Sequence, residues 1–446
     1  MIQICFTSVK LIENTLMRIL STWQCELGRE IEKLKQQLSN LDGLSDHRKT
    51  VLTIIGNVRK QGDKAVINYS KRFDKVFLSA DELRVKDDEI EHAYGKISIP
   101  FVKSIQRAGA NVRAYQEHIR VRSPRPMKAN GVMLDTRYIP LDSAGVYVPG
   151  GAASYPSTVL MNAIPAQAAG VKRIIMVTPP AKDGTIPPER LVAARECGIS
   201  EIYKVGGAQA IAALAFGTET IPKVDKIVGP GNIFVTLAKK EIFGYAGIDM
   251  LAGPSEVLII ADDSANPSFV ASDLLSQAEH TPGISILVTF SESLVEQVMV
   301  EVKRQLTLID RGAETKKCLD NYGVAVLVRN IEECVEIANV LAPEHLQIMT
   351  QKPNNLLPGI RHAGAIFLGH YTPVALGDYI AGPSHVLPTG GTARFSSGLS
   401  VNDFLKRSSV IQYSRAALKK ASHDITEISE AEGLGAHTRS VKIRLV

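Results

Sequence analysis

The sequence predicts an α/β fold with helices on both faces of a mostly parallel sheet, and three observations carry that expectation. From Val146 onward, short apolar runs of four to six residues alternate with helical stretches. The runs are rich in Val, Ile and Leu with little polar alternation, as expected of parallel strands buried on both faces. Glycine-rich turns follow several of them, the punctuation of a βα repeat.

Taken in order, the first regular segment is a helix. Leu27, Ile31, Leu34, Leu38 and Leu41 step by four and three, and Asp42-Gly43 stops them. Two heptads are too few for a coiled coil, so this helix packs on its own domain or on a partner. The predicted strands are 173–178, 257–261, 284–289, 324–328 and 365–368. Between the second and third, Asn266 as N-cap, Pro267 at the first helical position and Pro282-Gly283 as a stop define a helix. Its Val270, Leu274 and Ala278 face the core, while Asp273, Gln277 and His280 share a neighbouring polar face. In folds of this class, ligands collect at the carboxyl ends of the strands.

With 446 residues, 45% hydrophobic and 22% charged, the chain is long enough for two or three cored domains. Its net charge of +5 is spread over 51 basic and 46 acidic residues, with no basic run of the kind that tracks a phosphate backbone, so no nucleic-acid partner is expected. Cys5, Cys25, Cys197, Cys318 and Cys334 are far apart and odd in number, which argues against a disulfide framework or a cysteine zinc site and for a reducing, cytoplasmic setting. Lys10, Glu13 and Arg18 interrupt the apolar start, so neither a targeting segment nor a membrane span is expected; Met17 is a candidate second start.

Several segments carry chemistry, each with a plainer reading beside it. Gln277 and His280, three apart on a helix, are either metal ligands or a hydrogen-bonded polar pair. Ala342-Pro-Glu-His345 sets a carboxylate beside an imidazole after a helix that Pro343 ends, either as a proton-transfer pair or as an exposed loop pair. Asp378 and His385 sit in a Gly- and Pro-rich stretch that suits a substrate-facing loop, or a turn aspartate and a structural histidine. Glu432 and His437 form a third carboxylate–histidine pairing. The glycine-rich pieces around Tyr147, Gln209 and Asn232 let backbone amides approach a dinucleotide phosphate, although tight turns explain the glycines equally well. Ser255, in a turn before a strand, either contacts a ligand or stabilises the turn.

Read together, Tyr147-Val-Pro-Gly-Gly, Val205-Gly-Gly-Ala-Gln, Val228-Gly-Pro-Gly-Asn, Ala252-Gly-Pro-Ser-Glu, Ser276-Gln-Ala-Glu-His, Pro343-Glu-His-Leu and Ser384-His-Val-Leu-Pro-Thr resemble the histidinol dehydrogenase family in order and spacing. The resemblance runs from about Gln24 to Leu445; the first twenty or so residues have no counterpart, and Pro383-Ser384 departs beside His385.

The resemblance implies an enzyme that oxidises L-histidinol through L-histidinaldehyde to L-histidine, the last step of histidine biosynthesis, with two NAD and one Zn2+ per subunit. It implies Gln277, His280, Asp378 and His437 as metal ligands and Glu344 and His345 as the catalytic pair. It further implies substrate contacts from Ser255, Gln277, His280, His345, Asp378, His385, Glu432 and His437, and NAD contacts from Tyr147, Gln209 and Asn232. A zinc and NAD dehydrogenase of the same fold acting on another small polar alcohol is the alternative, against which Glu432 and His385 suit an imidazole-bearing substrate.

The fold so implied is two related Rossmann-like domains, one inserted into the other, with small terminal pieces that exchange in a homodimer. The boundaries expected are 1–20 as an extension, 21–43 with 400–411 as a dimerisation piece, 44–146 with 257–399 as the first domain, 147–256 as the inserted domain, and 412–446 reaching the partner's active site.

Overall fold

The structure, a computed structural model, describes residues 17–21, 45–151, 154–280 and 282–446. The helix expected over Leu27 to Leu41 lies outside them.

Two parallel sheets organise the described chain. The larger runs in the order Arg18–Ser21, Gly323–Leu327, Gly283–Thr289, Ser255–Ala261, His345–Met349, Ala365–Leu368. Its side chains alternate between two apolar layers: Val257, Ile259 and Ala261 pack toward the Pro267–Ala278 and Glu292–Leu306 helices, while Leu258 and Ile260 pack toward the Ile331–Leu341 helix. Burial on both faces explains why these strands read as unbroken apolar runs.

The smaller sheet runs Glu201–Lys204, Arg173–Thr178, Ser143–Tyr147, Lys226–Val228, Gly247–Ile248, all parallel. All its strands lie between the first strand of the larger sheet and the rest, so one sheet is inserted in the sequence of the other. Leaving aside the edge strand at Arg18–Ser21, both sheets are wound in the same spatial order, third-second-first-fourth-fifth.

The α/β class and its parallel sheets are as expected, but the division of the chain differs. The helices Ser45–Gln61, Asp63–Phe73, Asp87–Tyr94 and Ile99–Ile119, expected beside residues 257–399, pack instead on the inserted sheet. Val51, Ile54 and Val58 pack into one layer with Ile175, Val177 and Ile227, and Ile105, Ala108 and Val112 join Ala144, Val146 and Met176 on the other. An apolar stripe specifies that a helix is covered but not which sheet covers it.

The chain's start differs too. Met17 is buried, and Arg18–Ser21 pairs along Gly323–Leu327, so these residues are part of the larger sheet rather than an extension. Leu405–Tyr413, most of it within the 400–411 expected with residues 21–43, pairs antiparallel with Val132–Pro140. The Arg415–Ala431 and Gly435–Lys442 helices follow, with Ile428, Leu434 and Ile443 exposed. No helix of the described residues is long and apolar enough to cross a membrane.

The Met17 side chain lies against Gly323 and in the core formed by Cys318, Leu319 and Ala325. Met17→Ala is expected to lower the unfolding free energy by about 2–5 kcal/mol, the usual cost of emptying such a site, read from urea denaturation midpoints. An unchanged midpoint would mean that the first strand adds nothing to the sheet.

Candidate active site

The pairing of Ser255–Ala261 with His345–Met349 sets His345 opposite Val257, which brings Ser255 and Glu256 alongside Glu344. Ser255 Oγ donates to Glu344 Oε2 at 2.7 Å, and the Glu256 amide donates to the same oxygen at 2.9 Å. His345 Nδ1 lies 3.0 Å from the Glu256 carbonyl, which can only accept, so the proton sits on Nδ1 and the lone pair on Nε2. That Nε2 is buried with no hydrogen-bond partner and lies 3.9 Å from Asp378 Oδ1.

Of the two readings of this segment, the exposed loop pair does not hold: Glu344 and His345 are both buried, and His345 opens a strand paired on both sides. The position is also reversed. Ser255 and His345 stand at the amino ends of their strands, and Gln277 and His280 immediately precede the amino end of Gly283–Thr289. Ligands were expected at carboxyl ends.

Burial governs the charges here. It lifts the Glu344 carboxyl to about 7 against the opposing bonds from Ser255 and the Glu256 amide, and lifts Asp378 to about 6 against the pull of His345. Burial likewise lowers His345 and His280 below the usual histidine value. His345 is thus neutral near pH 7, so its 3.5 Å approach to Glu344 is not an ion pair.

Among the expected metal ligands, Gln277 lies in the last turn of the Pro267–Ala278 helix, whose N-cap Asn266 accepts from Ser268 N at 2.9 Å. Gln277 is buried, and its Nε2 has no hydrogen-bond partner. His280 follows the helix end, where burial and then the nearby His345 lower its basicity, and Asp378 faces His345 from the Val374–Tyr379 helix. An amide oxygen, an imidazole and a carboxylate form a donor set suited to Zn2+. Among the described residues no three His, Cys, Asp or Glu side chains converge as a complete cation site.

Glu432 and His437 are exposed at the turn between the two C-terminal helices, and no hydrogen bond or ion pair joins either to the residues above. His385, by contrast, is part of the cluster. Its Nδ1 donates to the Asp378 carbonyl at 3.1 Å, and Thr158 Oγ1 lies 3.4 Å from its Nε2.

Tyr147, Gln209 and Asn232 line one cavity of about 680 Å³ at the carboxyl ends of the inserted sheet, where the strand order reverses. Helices begin in its wall at Gly207 and Ile233, with Lys182 and Arg190 nearby, which suits phosphate groups. Tyr147 Oη accepts from Gly207 N at 3.1 Å, and Asn232 caps its helix through Phe234 N and Val235 N. Gly229 is required by geometry: its φ is +115°, and a Cβ there would stand 2.2 Å from the Tyr147 carbonyl oxygen. The cradle fits a dinucleotide.

Four residues went unassigned in the sequence. Glu256, Thr158 and the buried Asp273–Gln347 hydrogen bond of 2.6 Å all support the site. The available signal was an acidic residue, Glu256, opening an otherwise apolar strand.

Burial first, opposed by its bond to the Asp378 carbonyl, pushes His385 down to about 4. A folded-state value below the unfolded one adds stability that is present in full above the unfolded value near 6.5 and is lost as pH falls toward 4. In metal-free protein, the stability lost between pH 7 and pH 4.5 is expected to shrink by up to about 3 kcal/mol in His385→Asn, measured by denaturant melts at each pH. Parallel pH curves for the two proteins would contradict a buried neutral imidazole.

The family described as histidinol dehydrogenase matches residues 39–445. The chain is 52% identical over 416 residues to the histidinol dehydrogenase of Clostridium acetobutylicum, covering 93% of this chain and 96% of that one. It is 52% identical over 404 residues to the histidinol dehydrogenase of Geobacillus kaustophilus, covering 90% and 95%. The crystal structure of histidinol dehydrogenase from Elizabethkingia anophelis superposes with a TM-score of 0.90 at 39% identity, over 97% of this chain and 99% of that one. At this identity and coverage, the chain belongs to the histidinol dehydrogenase family.

Proposed function

We propose that the protein oxidises L-histidinol to L-histidine by way of the aldehyde, with Zn2+ and two NAD, as the closing step of histidine biosynthesis. The observation that carries this reading is the buried pair itself: a neutral imidazole with a free Nε2 beside a carboxyl group lifted to about 7, next to three unlike metal donors. When bound, zinc would fix the amine and imidazole of the substrate and NAD would accept hydride.

The chain's own residues do the rest. Gln277, His280 and Asp378 would hold the metal, with His437 of a second copy as the fourth ligand. Ser255 and His385 would orient the alcohol end and the imidazole, together with Glu432 of the second copy. His345 Nε2 takes the hydroxyl proton as hydride leaves the alcohol carbon, giving the aldehyde. Glu344 then takes a proton from water as the water oxygen adds to the aldehyde carbon, and the former carbonyl oxygen takes the proton held on His345, giving the hydrate. The hydrate loses the second hydride, which the second NAD would accept, and two protons, leaving the carboxylate. Tyr147, Gln209 and Asn232 would seat the dinucleotide. Exposed Ile428, Leu434 and Ile443 on the C-terminal helices support a homodimer in which each copy completes the other's site.

Purified protein supplied with L-histidinol, Zn2+ and excess NAD is expected to form two NADH per substrate and to stop on chelation. Glu344→Gln is expected to slow the aldehyde step by about 100-fold or more while sparing the alcohol step. Turnover of another alcohol without turnover of histidinol would defeat the reading. Mixing two inactive variants, His345→Asn and His437→Ala, is expected to restore activity, because a mixed dimer contains one intact site. No recovery after subunit exchange would refute the shared site.

A further inference from the structure

Glu256 has no assigned role, yet it touches both members of the reactive pair. Its carboxyl group turns back on the neighbouring strand: Oε1 accepts from Glu344 N at 3.0 Å and from Gly390 N at 3.2 Å. The arrangement is reciprocal, since the Glu256 amide donates to Glu344 Oε2 at 2.9 Å and its carbonyl accepts from His345 Nδ1 at 3.0 Å. On the opposite side of the segment, Gly364 N donates to Pro343 O at 2.9 Å and Ala365 N to Glu344 O at 2.8 Å.

We propose that Glu256 is a positioning residue whose side chain clasps the Glu344 backbone to the Gly390 loop and thereby aims the Glu344 carboxylate and the His345 imidazole at the substrate. The inference rests on the roles given to Glu344 and His345 above. Without the Glu256 side chain the Glu344 amide would be buried and unpaired, and the tie between the segment and the Gly390 loop would be lost.

The clasp needs an acceptor oxygen, not a charge. Glu256 is fully buried and its Oε2 has no hydrogen-bond partner. Burial and then the charge of Glu344 hold its carboxyl group well above the ordinary value, so it stands as a neutral acid. An amide presents the same oxygen on the same arm. Glutamine is therefore a functional substitute, and alanine is not.

The test compares Glu256→Gln and Glu256→Ala in the full chain. Glu256→Ala is expected to lower kcat with L-histidinol by about 100-fold, with KM changed by less than about threefold, as for a misaimed rather than an unbound substrate. Amide hydrogen exchange across 342–346 and 389–392 is expected to quicken by about tenfold or more in the same variant. Glu256→Gln is expected to keep both the rate and the protection. Wild-type kcat and exchange in Glu256→Ala, or equal damage in Glu256→Gln, would overturn the proposal. If Glu256→Ala does not fold, Glu256→Asp, one methylene too short to reach both amides, replaces it with the same expectations. Exchange does not depend on turnover, so loss of protection in a protein inert toward histidinol would reject the proposed reaction while upholding the clasp.

Discussion

The parallel pairing of Ser255–Ala261 with His345–Met349 is the contact on which the rest of the site depends. Its register sets His345 opposite Val257, and from that single alignment the Ser255 hydroxyl, the Glu256 amide and the Glu256 carbonyl all fall within hydrogen-bond reach of the reactive pair. A slip of one residue would turn every side chain of the strand to its other face. The apolar layers on both sides of the sheet prevent that slip, because Leu346 and Ile348 pack in the layer of Leu258 and Ile260. Core packing and catalytic geometry are here the same constraint.

The dielectric environment follows from the same placement. A carboxyl group at the end of a central strand loses its water, and burial is the first cause of the upward shifts of Glu344, Asp378 and Glu256. The same loss of water favours neutral imidazole at His345, His280 and His385. The hydrogen bonds to Glu344 work against burial, and the balance leaves it near 7, where one group can exist as acid or base. A general base is most effective at such a value.

Much of this was legible in the sequence, for identifiable reasons. The strands at 173–178, 257–261, 284–289, 324–328 and 365–368 were found to within two residues because doubly buried strands are long apolar runs. The Asn266 cap and Pro267 fixed their helix. What was not legible is what depends on non-local pairing. His345 reads as loop because Pro343 precedes it, although its strand is central to the sheet. Glu256 carries no local signal of its bond to Glu344, 88 positions away. The packing of helices 45–119 on the inserted sheet is hidden for the same reason, and so is the exposure of Glu432 and His437 away from the cluster.

Both sheets share one winding order but use opposite ends of it: the inserted sheet gathers its glycine turns at the carboxyl ends, the larger sheet its reactive groups at the amino ends. The turns after Ala261, Thr289 and Leu327 therefore sit about 20 Å, the length of a seven-residue strand, from the chemistry. They are the natural points at which to graft a reporter peptide, a fluorophore or a surface tether, since a change there meets neither the acid–imidazole pair nor the dinucleotide cradle.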